Sequence, residues 1–492
     1  MPFSVFIALL IAFGMDLPGP AIPGSSVPFR LLEMAGGVLL VGFLSFGLGA
    51  WVAARISHFG YASSRLLRRY TQGSRLLTIA GLGIYAWIVH GIGWSRLVLS
   101  NWGLRGTVLI DDLAIFAPFV VIQLLIWSGL YYAERALHKI DGYPSLWLSV
   151  GLKTRQAIGL VLPVVLIFIV RQDVLFRLLP DWQRNSAAEP LELAALGTLV
   201  LILSPAFIRL AWPTRSLPDG PLRRRLENVA RRVGFRFNDL LVWDTRHMTV
   251  NACVTGVLPW FRYVLLSDAL IDSLSPVEVA AVFGHEVGHV AHRHLPFFGF
   301  FFLGSLGVLA LAARIFSLSK TLIATIPWVP ATLLAPARDI LEGTATLGSL
   351  GFFFFFVFGA LSRRFERQAD VFGCKVVSCG TVECPPHFDF EEELPEVPSR
   401  RDRLSSLCPV GVQIFSQALL TVAIHNGIDV TARSWRHGSI ACRLGFLEQL
   451  QTDPACEPRF QRGVRSYRWA LSAFLLVTFL LAVLTQSWEL LN

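Results

Sequence analysis

Long apolar blocks constrain this chain more than any other feature. A helix needs roughly 20 apolar residues to cross a bilayer. The 492 residues contain eight blocks of about that kind, near 35–54, 76–99, 113–133, 156–175, 191–212, 297–318, 347–362 and 469–487. Only 16% of the residues are charged, whereas an ordinary soluble protein carries about 25%. The sequence therefore predicts a mainly α, polytopic membrane protein with room for one sizeable soluble domain.

Two further apolar segments are ambiguous. Residues 1–15 are apolar but short and lack a basic start, so a signal anchor, a short span and an interfacial segment all remain open. The stretch 321–337 is interrupted by Pro327 and Pro330, which favours a re-entrant or loop segment over a span.

The charges between the blocks predict the orientation of the chain. The net charge is +9, and the basic residues lie mainly between apolar blocks, which favours contact with anionic lipid over nucleic acid. The loop 54–75 contains several arginines and no acidic residue, whereas the loop 100–112 balances Arg105 with Asp111 and Asp112. Alternation then places the long polar segments 213–296 and 363–468 on the cytoplasmic side.

The blocks divide the chain into five parts. An N-terminal membrane domain, 1–212, is expected to have about five spans and a possible apolar anchor. A first soluble segment, 213–296, is followed by two spans in 297–362, a second soluble segment in 363–468 and a last span in 469–492. In the second soluble segment, the acidic, Pro-rich stretch 383–398 is expected to form a solvated loop, with a docking surface as the alternative.

The first soluble segment has the pattern of a small α/β unit. A basic amphipathic helix is predicted over 222–233, and strands are predicted over 240–244, 250–255 and 262–267. Ser275-Pro-Val-Glu278 has the form of a capping box with Pro at the first helical position. It predicts a helix that runs from there toward residue 294.

The cysteines do not predict a metal site. The chain has seven Cys, and Cys374, Cys379 and Cys384 are spaced by five, which fits no common zinc knuckle. We interpret them as reduced thiols.

The predicted helix after Ser275 carries His285-Glu-Val-Gly-His289. Two histidines four residues apart on a helix face the same way and can share one ion. Zinc then needs a third protein ligand and an open position, and the carboxylate of Glu286 lies beside it as a candidate base. A chance match, or a histidine cluster at the membrane surface that includes His292 and His294, is the alternative. The capped helix, the adjacent span and the single copy favour a zinc site, with His292 and His294 at the interface or behind the ligands.

A candidate third ligand follows the block 347–362. Glu366 would lie at the start of a helix close to the end of the first one, and Asp370 is one turn further on the same face. Asp370 could hold the second nitrogen of a ligand imidazole. The alternative is an ordinary surface pair of acidic residues in basic surroundings.

HEVGH followed by SRRFERQAD resembles the integral-membrane gluzincin peptidases, which include the type I CAAX prenyl proteases and the HtpX-type proteases. The resemblance implies one Zn²⁺ per chain, with His285, His289 and Glu366 as its ligands. It also implies that Glu286 is the catalytic base and that Asp370 supports the metal ligands.

Two more segments extend this resemblance. Asn251-Ala252 followed by Gly256 is similar to the family's Asn-Ala segment, which implies that Asn251 and Ala252 bind substrate backbone; the strand near 262–267 could pair with an extended peptide. His437 through Arg443 is similar to the HPxxxxR element, although Gly438 replaces the proline. There His437 and Arg443 would contact substrate or the developing oxyanion. For each of them a basic surface loop is the alternative.

The resemblance implies a membrane-embedded zinc metalloendopeptidase with a small cytoplasmic, zincin-like α/β catalytic domain. Its substrate would be a membrane-associated polypeptide, either lipidated or misfolded. A sensor protease that cleaves a transcriptional repressor is one alternative. A transporter or scaffold with a structural metal site is another, although such a site prefers four closed ligands without a free base.

Overall fold

The computed structural model describes residues 2–13, 26–105, 107, 109–138, 143–170, 189–324, 348–349, 351–379, 407–453, 455–485 and 487. Six helices in these ranges are long and apolar enough to cross a membrane: Val27–Phe59, Ser64–Ile92, Ile110–His138, Leu146–Leu166, His294–Leu318 and Cys456–Leu484. They confirm the predicted fold class, a polytopic α-helical membrane protein.

Two of the eight predicted blocks are not among these six helices. The block 191–212 forms a helix whose apolar part, Ala195–Ala211, is shorter than a full crossing. The block 347–362 is only partly described, and from Gly359 onward it already belongs to a helix that extends to Val376. The stretch 321–337 beyond Ala324, the acidic stretch 383–398 and Cys384 lie outside the described residues.

The first part of the chain is a helical membrane domain. Its helices are α1 (Pro2–Phe13), α2 (Val27–Phe59), α3 (Ser64–Ala86), α4 (Ile110–His138), α5 (Leu146–Ile169) and α6 (Glu189–Ala211). Helix α2 packs along α4, and their backbones meet at Gly49 and Gly129. A Cβ added to Gly49 would lie 2.0 Å from the carbonyl oxygen of Gly129, so this approach requires glycine.

The first soluble segment forms the predicted α/β unit. Its elements are β1 (Thr214–Ser216), α7 (Pro221–Val233), β2 (Asp239–Trp243), β3 (Ala252–Thr255) and β4 (Tyr263–Ser267). The strand order is β1-β2-β4-β3, with β2 and β4 parallel and the other pairs antiparallel. Strand β1 is an addition to the three strands that the sequence predicts.

The expectation that the strand near 262–267 pairs with a peptide is wrong. That strand, β4, lies between β2 and β3, and all five of its residues are buried. A run of apolar side chains buried on both faces is typical of an interior strand. Strands β1 and β3 form the two edges of the sheet in the described part of the chain, so β3, unlike β4, has an outer side with which a peptide could pair.

The remaining helices are α8 (Asp268–Ser273), α9 (Pro276–Ala291), α10 (His294–Ala324), α11 (Gly359–Val376), α12 (Pro409–His425), α13 (Ile440–Thr452) and α14 (Cys456–Leu484). Helix α9 begins with the predicted capping box, in which Ser275 and Glu278 exchange side-chain-to-backbone hydrogen bonds. It packs closely against α11, because a Cβ added to Gly288 would lie 2.9 Å from the Cβ of Phe372. This packing brings the two predicted ligand-bearing helices together.

One ion pair relates the membrane domain to the second soluble segment. Arg68 of α3 lies with its Nε 3.0 Å from Oδ2 of Asp429, in the loop that follows α12. The start of α3, within the arginine-rich segment 54–75, and the loop after α12 therefore lie close together. This agrees with the alternation of charge along the sequence.

Candidate metal centre

Helices α9 and α11 bring together the three residues predicted to hold a metal. The Nε2 atoms of His285 and His289 lie 3.3 Å apart. The carboxylate oxygens of Glu366 are 3.8 Å from His285 Nε2 and 3.9 Å from His289 Nε2. One ligand atom from each residue lies within 4.8 Å of the other two, so a single ion can bind all three.

The geometry and the donor types fit zinc. Tetrahedral ligands at 2.0–2.1 Å from zinc lie about 3.3 Å from one another, close to the separation of the two imidazole nitrogens. Two imidazoles and one carboxylate, with a fourth position left open, are a donor set of catalytic zinc sites.

The charges around the site also fit a divalent cation. Three carboxylates lie in it or against it: Glu286, Glu366 and Asp370. The guanidinium of Arg443 contacts two of them, and Arg436 lines the same cavity. This partly buried site therefore has more carboxylates than guanidinium groups, and a bound cation would offset the excess negative charge.

Asp370 contacts the first of the predicted ligands. Its Oδ1 lies 3.0 Å from Nδ1 of His285, which leaves the Nε2 of that ring turned toward the other ligands. Phe415 of α12 stacks on the other side of the His285 ring, with the ring centroids 5.8 Å apart. Burial tends to lower the pKa of His285, but the hydrogen bond and charge of Asp370 outweigh it and raise the pKa.

A chain of polar side chains orients the second ligand. His294 Nδ1 lies 3.0 Å from His289 Nδ1, and His294 Nε2 lies 2.9 Å from Oε1 of Gln368. Gln368 in turn donates to the side-chain oxygen of Gln461, on α14. Burial lowers the pKa of His289 to about 4, an effect that the neighbouring His285 reinforces. The ring of His289 is therefore neutral, as a metal ligand must be.

The position of His294 agrees with one of the two locations expected for it, behind the ligands. It is fully buried and stacks on Phe365 with ring centroids 3.9 Å apart. Gln368 and Gln461 were not singled out in the sequence, because neither belongs to a ligand pattern.

Glu286 lines the cavity that holds the metal ligands, whose volume is about 500 Å³. Burial raises the pKa of Glu286 to about 7; the charge of His285 opposes this rise and that of Glu366 adds to it. The backbone N–H of Val254, on the edge strand β3, interacts with the same carboxylate. A carboxylate with a pKa near neutrality is suited to taking and returning a proton.

Arg443 is buried, and its guanidinium faces the carboxylates of the site. Its Nε donates to Asp370 Oδ2 at 2.8 Å, a second nitrogen donates to Asp370 Oδ1, and a third lies 3.5 Å from Glu366 Oε2. Burial works to raise the pKa of Asp370, but the Arg443 charge outweighs it and lowers the pKa. The sequence resemblance implies contact with substrate for Arg443, and the structure brings its guanidinium to the cavity, against Asp370 and Glu366.

His437 lies on the open side of Glu366. Its ring is half exposed, and its Nδ1 is 2.9 Å from Glu366 Oε1. The loop is closed by two backbone hydrogen bonds between Ser434 and Gly438. Gly438 has φ +76°, a left-handed conformation that proline cannot adopt, which accounts for glycine where the resembled element has proline.

Asn251 and Ala252 both line the cavity at the start of β3. The backbone N–H of Asn251 donates to Ser267 Oγ at 3.0 Å, and its carbonyl accepts from Ser267 N at 2.9 Å. Asn251 is exposed, whereas Ala252 is buried. The structure therefore brings all of the predicted site residues to one cavity or to the shell around it.

Known proteins resemble parts of this chain. The model of Peptidase family M48 matches residues 216–385. CAAX prenyl protease 1 of Saccharomyces cerevisiae is 31% identical over 106 residues, which are 21% of this chain and 22% of that protein. Probable CAAX prenyl protease 1 of Schizosaccharomyces pombe is 24% identical over 261 residues, half of each chain. Protease HtpX homolog of Methanocaldococcus jannaschii is 34% identical over 74 residues, 15% of this chain and 25% of that one.

One solved structure is also similar. The crystal structure of S. mikatae Ste24p has 17% sequence identity and a TM-score of 0.45, and the match covers 87% of this chain and 99% of that one. For the three curated relatives named above, the match with this chain spans only about a fifth to a half of each relative's length. The resemblance of this chain to the membrane metallopeptidases of the CAAX prenyl protease and HtpX type is confirmed.

Proposed function

We propose that this chain is a membrane-embedded zinc metalloendopeptidase. The observation that carries the proposal is the cavity in which His285, His289 and Glu366 converge beside the carboxylate of Glu286. Three protein ligands with a free carboxylate next to them are typical of catalytic rather than structural zinc sites. The same cavity is bordered by the edge strand β3, where an extended polypeptide can pair.

Zinc held by these three ligands supplies a Lewis acid, which lowers the pKa of a water molecule and polarises a carbonyl group. Glu286 takes the proton of the attacking water and returns it to the amine that leaves. His437, with its half-exposed ring, is placed to donate a hydrogen bond to the oxyanion that develops. Arg443 acts as a positioning residue, because its guanidinium is turned to Asp370 and Glu366.

The proposed substrate is an extended, membrane-associated polypeptide. Its backbone would pair with the outer edge of β3, where the exposed side chain of Asn251 adds a polar contact. The six helices of the described residues that are suited to crossing a membrane would keep the site close to lipid, which favours substrates that are lipidated or are misfolded membrane proteins. The name of one relative, CAAX prenyl protease 1, fits a lipidated substrate.

We propose that the site faces the cytoplasm. The loop 54–75 has five arginines and no acidic residue, as cytoplasmic loops commonly do. The ion pair between Arg68 and Asp429 supports this orientation, because it joins the start of α3 to the loop after α12.

The proposal is tested with the purified full-length chain and its Glu286→Gln variant, by measuring bound zinc and the cleavage of unfolded casein. We expect both proteins to bind zinc and only the wild type to cleave, because the substitution removes the base and spares the ligands. The exposed Glu448 of α13 offers a matched control, and Glu448→Gln should cleave as the wild type does. Wild-type protein that binds no zinc, or equal cleavage by Glu286→Gln, would contradict the proposal.

A further inference from the structure

The groove that would hold a peptide has two sides, and they converge at one end. Ala252, Cys253 and Val254 of β3 line one side of the cavity. The other side is formed by one face of α12, which contributes Phe415, Leu419 and Val422. Asn426, directly after the end of α12, continues this face one turn further and reaches the chain just before β3.

The register of β3 shows which of its backbone groups point outward. Asn251 accepts a hydrogen bond from the backbone of Ser267, so its backbone is turned inward, toward β4. In an antiparallel pair successive residues alternate between the two sides. The N–H and C=O groups of Val250, Ala252 and Val254 therefore face away from β4, toward the groove.

These outward groups are not all available to a peptide. Asn426 satisfies both backbone groups of Val250: its Oδ1 accepts from Val250 N at 3.0 Å, and its Nδ2 donates to Val250 O at 2.7 Å. The N–H of Val254 interacts with Glu286. In the described part of the chain, the outward N–H and C=O groups of Ala252 make no hydrogen bond. The edge that a peptide can pair with is therefore short, and it ends at Val250.

The residue that closes the edge is itself fixed. The chain turns directly after Asn426, with a hydrogen bond of 2.8 Å from Ile428 N to Ala423 O. Asp429, three residues after Asn426, is nearly buried and pairs with Arg68 of the membrane domain. The amide of Asn426 therefore takes the place that the next residue of a paired strand would occupy.

We propose that Asn426 ends the peptide-binding edge at Val250 and so limits how many substrate residues can lie extended on one side of the scissile bond. An extended chain that pairs with Ala252 meets the side chain of Asn426 at its next pairing position and must end there or leave the sheet edge. Asn426 is thus a specificity-determining residue for substrate length. This inference rests on the proposed peptidase function.

The test uses the zinc-loaded, full-length chain and fluorogenic reporter peptides that are lengthened one residue at a time, in one series at the N-terminus and in another at the C-terminus. For the wild type we expect the KM to stop falling early in one series. Asn426→Gly frees the backbone groups of Val250, so the next extension in that series should lower the KM by about fivefold, and the other series should keep its profile. Asn228→Ala, at an exposed position of α7, is the control and should keep the wild-type profile in both series.

Three outcomes would overturn the inference. A wild-type KM that keeps falling with each extension in both series would show that the edge is not closed, whatever the variant does. An Asn426→Gly variant with bound zinc and unchanged length profiles would show that Asn426 does not limit the substrate. In both cases the peptidase function stands. If zinc-loaded wild type cleaves none of the peptides and no casein, the proposed function fails together with the inference.

Discussion

His294 is the first residue of a membrane-crossing helix, and its Nδ1 lies 3.0 Å from Nδ1 of His289, one of the two histidines that face the metal position. Through Gln368 the same imidazole connects to Gln461 on the last helix of the chain. The candidate metal centre is therefore supported directly by two helices that cross the membrane. Partners of this kind fix the tautomer and the orientation of a ligand imidazole.

Replacing His294 by alanine is expected to weaken zinc binding by about 10- to 100-fold, because His289 loses the group that orients it. Competition with a chelator measures this affinity without any need for catalysis. His292→Ala is the matched control, since that ring stacks on His294 and meets Phe372 edge to face, without contacting a nitrogen of His285 or His289. Equal zinc affinity of the two variants would show that His294 only fills space.

Arg443→Met is expected to destabilise the protein by about 3 kcal/mol, because it leaves the buried carboxylate of Asp370 without its cationic partner. Thermal unfolding in detergent measures the change. Arg459→Met removes an exposed arginine that also pairs with an aspartate, Asp453, and should have little effect. If Arg443→Met unfolds at the wild-type temperature but loses kcat, Arg443 contacts the reacting groups instead of positioning the carboxylates.

Gly438 should tolerate neither alanine nor proline. Its φ of +76° strains any residue with a side chain, so Gly438→Ala is expected to cost about 1 kcal/mol of stability. Gly438→Pro cannot keep this conformation and should displace His437 from Glu366, which lowers kcat while zinc stays bound. Gly445→Ala, on helix α13 with open space around it, is the control and should be neutral or slightly stabilising. Wild-type kcat in Gly438→Pro would refute a role for this loop in holding His437.

Asp268 makes the stability of the α/β unit depend on pH. Burial works to raise the pKa of Asp268, but hydrogen bonds from Thr245 and from the backbone of Ala269 and His247 outweigh it and lower the pKa. The folded-state pKa therefore lies below the unfolded value of about 3.9. The stabilisation is present above the unfolded value and is lost as the pH falls through the folded one.

Asp268→Asn is therefore expected to cost about 2 kcal/mol at pH 7, and the difference from wild type should shrink below about pH 4. Unfolding by denaturant at a series of pH values measures it. Asp272→Asn, at a carboxylate that is 64% exposed, serves as the comparison and should change stability little at any pH. A difference between wild type and Asp268→Asn that is constant with pH would exclude the carboxylate as its source.

The parts of the site that depend on neighbouring residues could be predicted from the sequence. The capping box at Ser275 and the spacing of His285 and His289 are properties of one helix, and both are present in the structure. Glu366 is likewise on a helix, but it lies in the middle of α11, which begins at Gly359, and not at the start of a helix as the sequence predicts.

The parts of the site that depend on contacts between distant residues could not be predicted from the sequence. The position of β4 inside the sheet is set by its pairing with β2 and β3, which the strand itself does not encode. The contact of Asn426 with Val250 joins residues 176 positions apart, and that of Gln368 with Gln461 joins residues 93 positions apart. Neither pair has a pattern that singles it out, because single amide side chains are common at any surface.

The central claim is that His285, His289 and Glu366 hold one catalytic zinc ion. Zinc K-edge X-ray absorption on the purified chain tests it most directly, because it reports the number, type and distance of the atoms around the metal. We predict nitrogen and oxygen neighbours only, at about 2.0–2.2 Å, with an imidazole contribution that is lost in a His285→Ala/His289→Ala double variant. A sulfur neighbour near 2.3 Å, or the same spectrum from the double variant, would place the metal elsewhere and contradict the account.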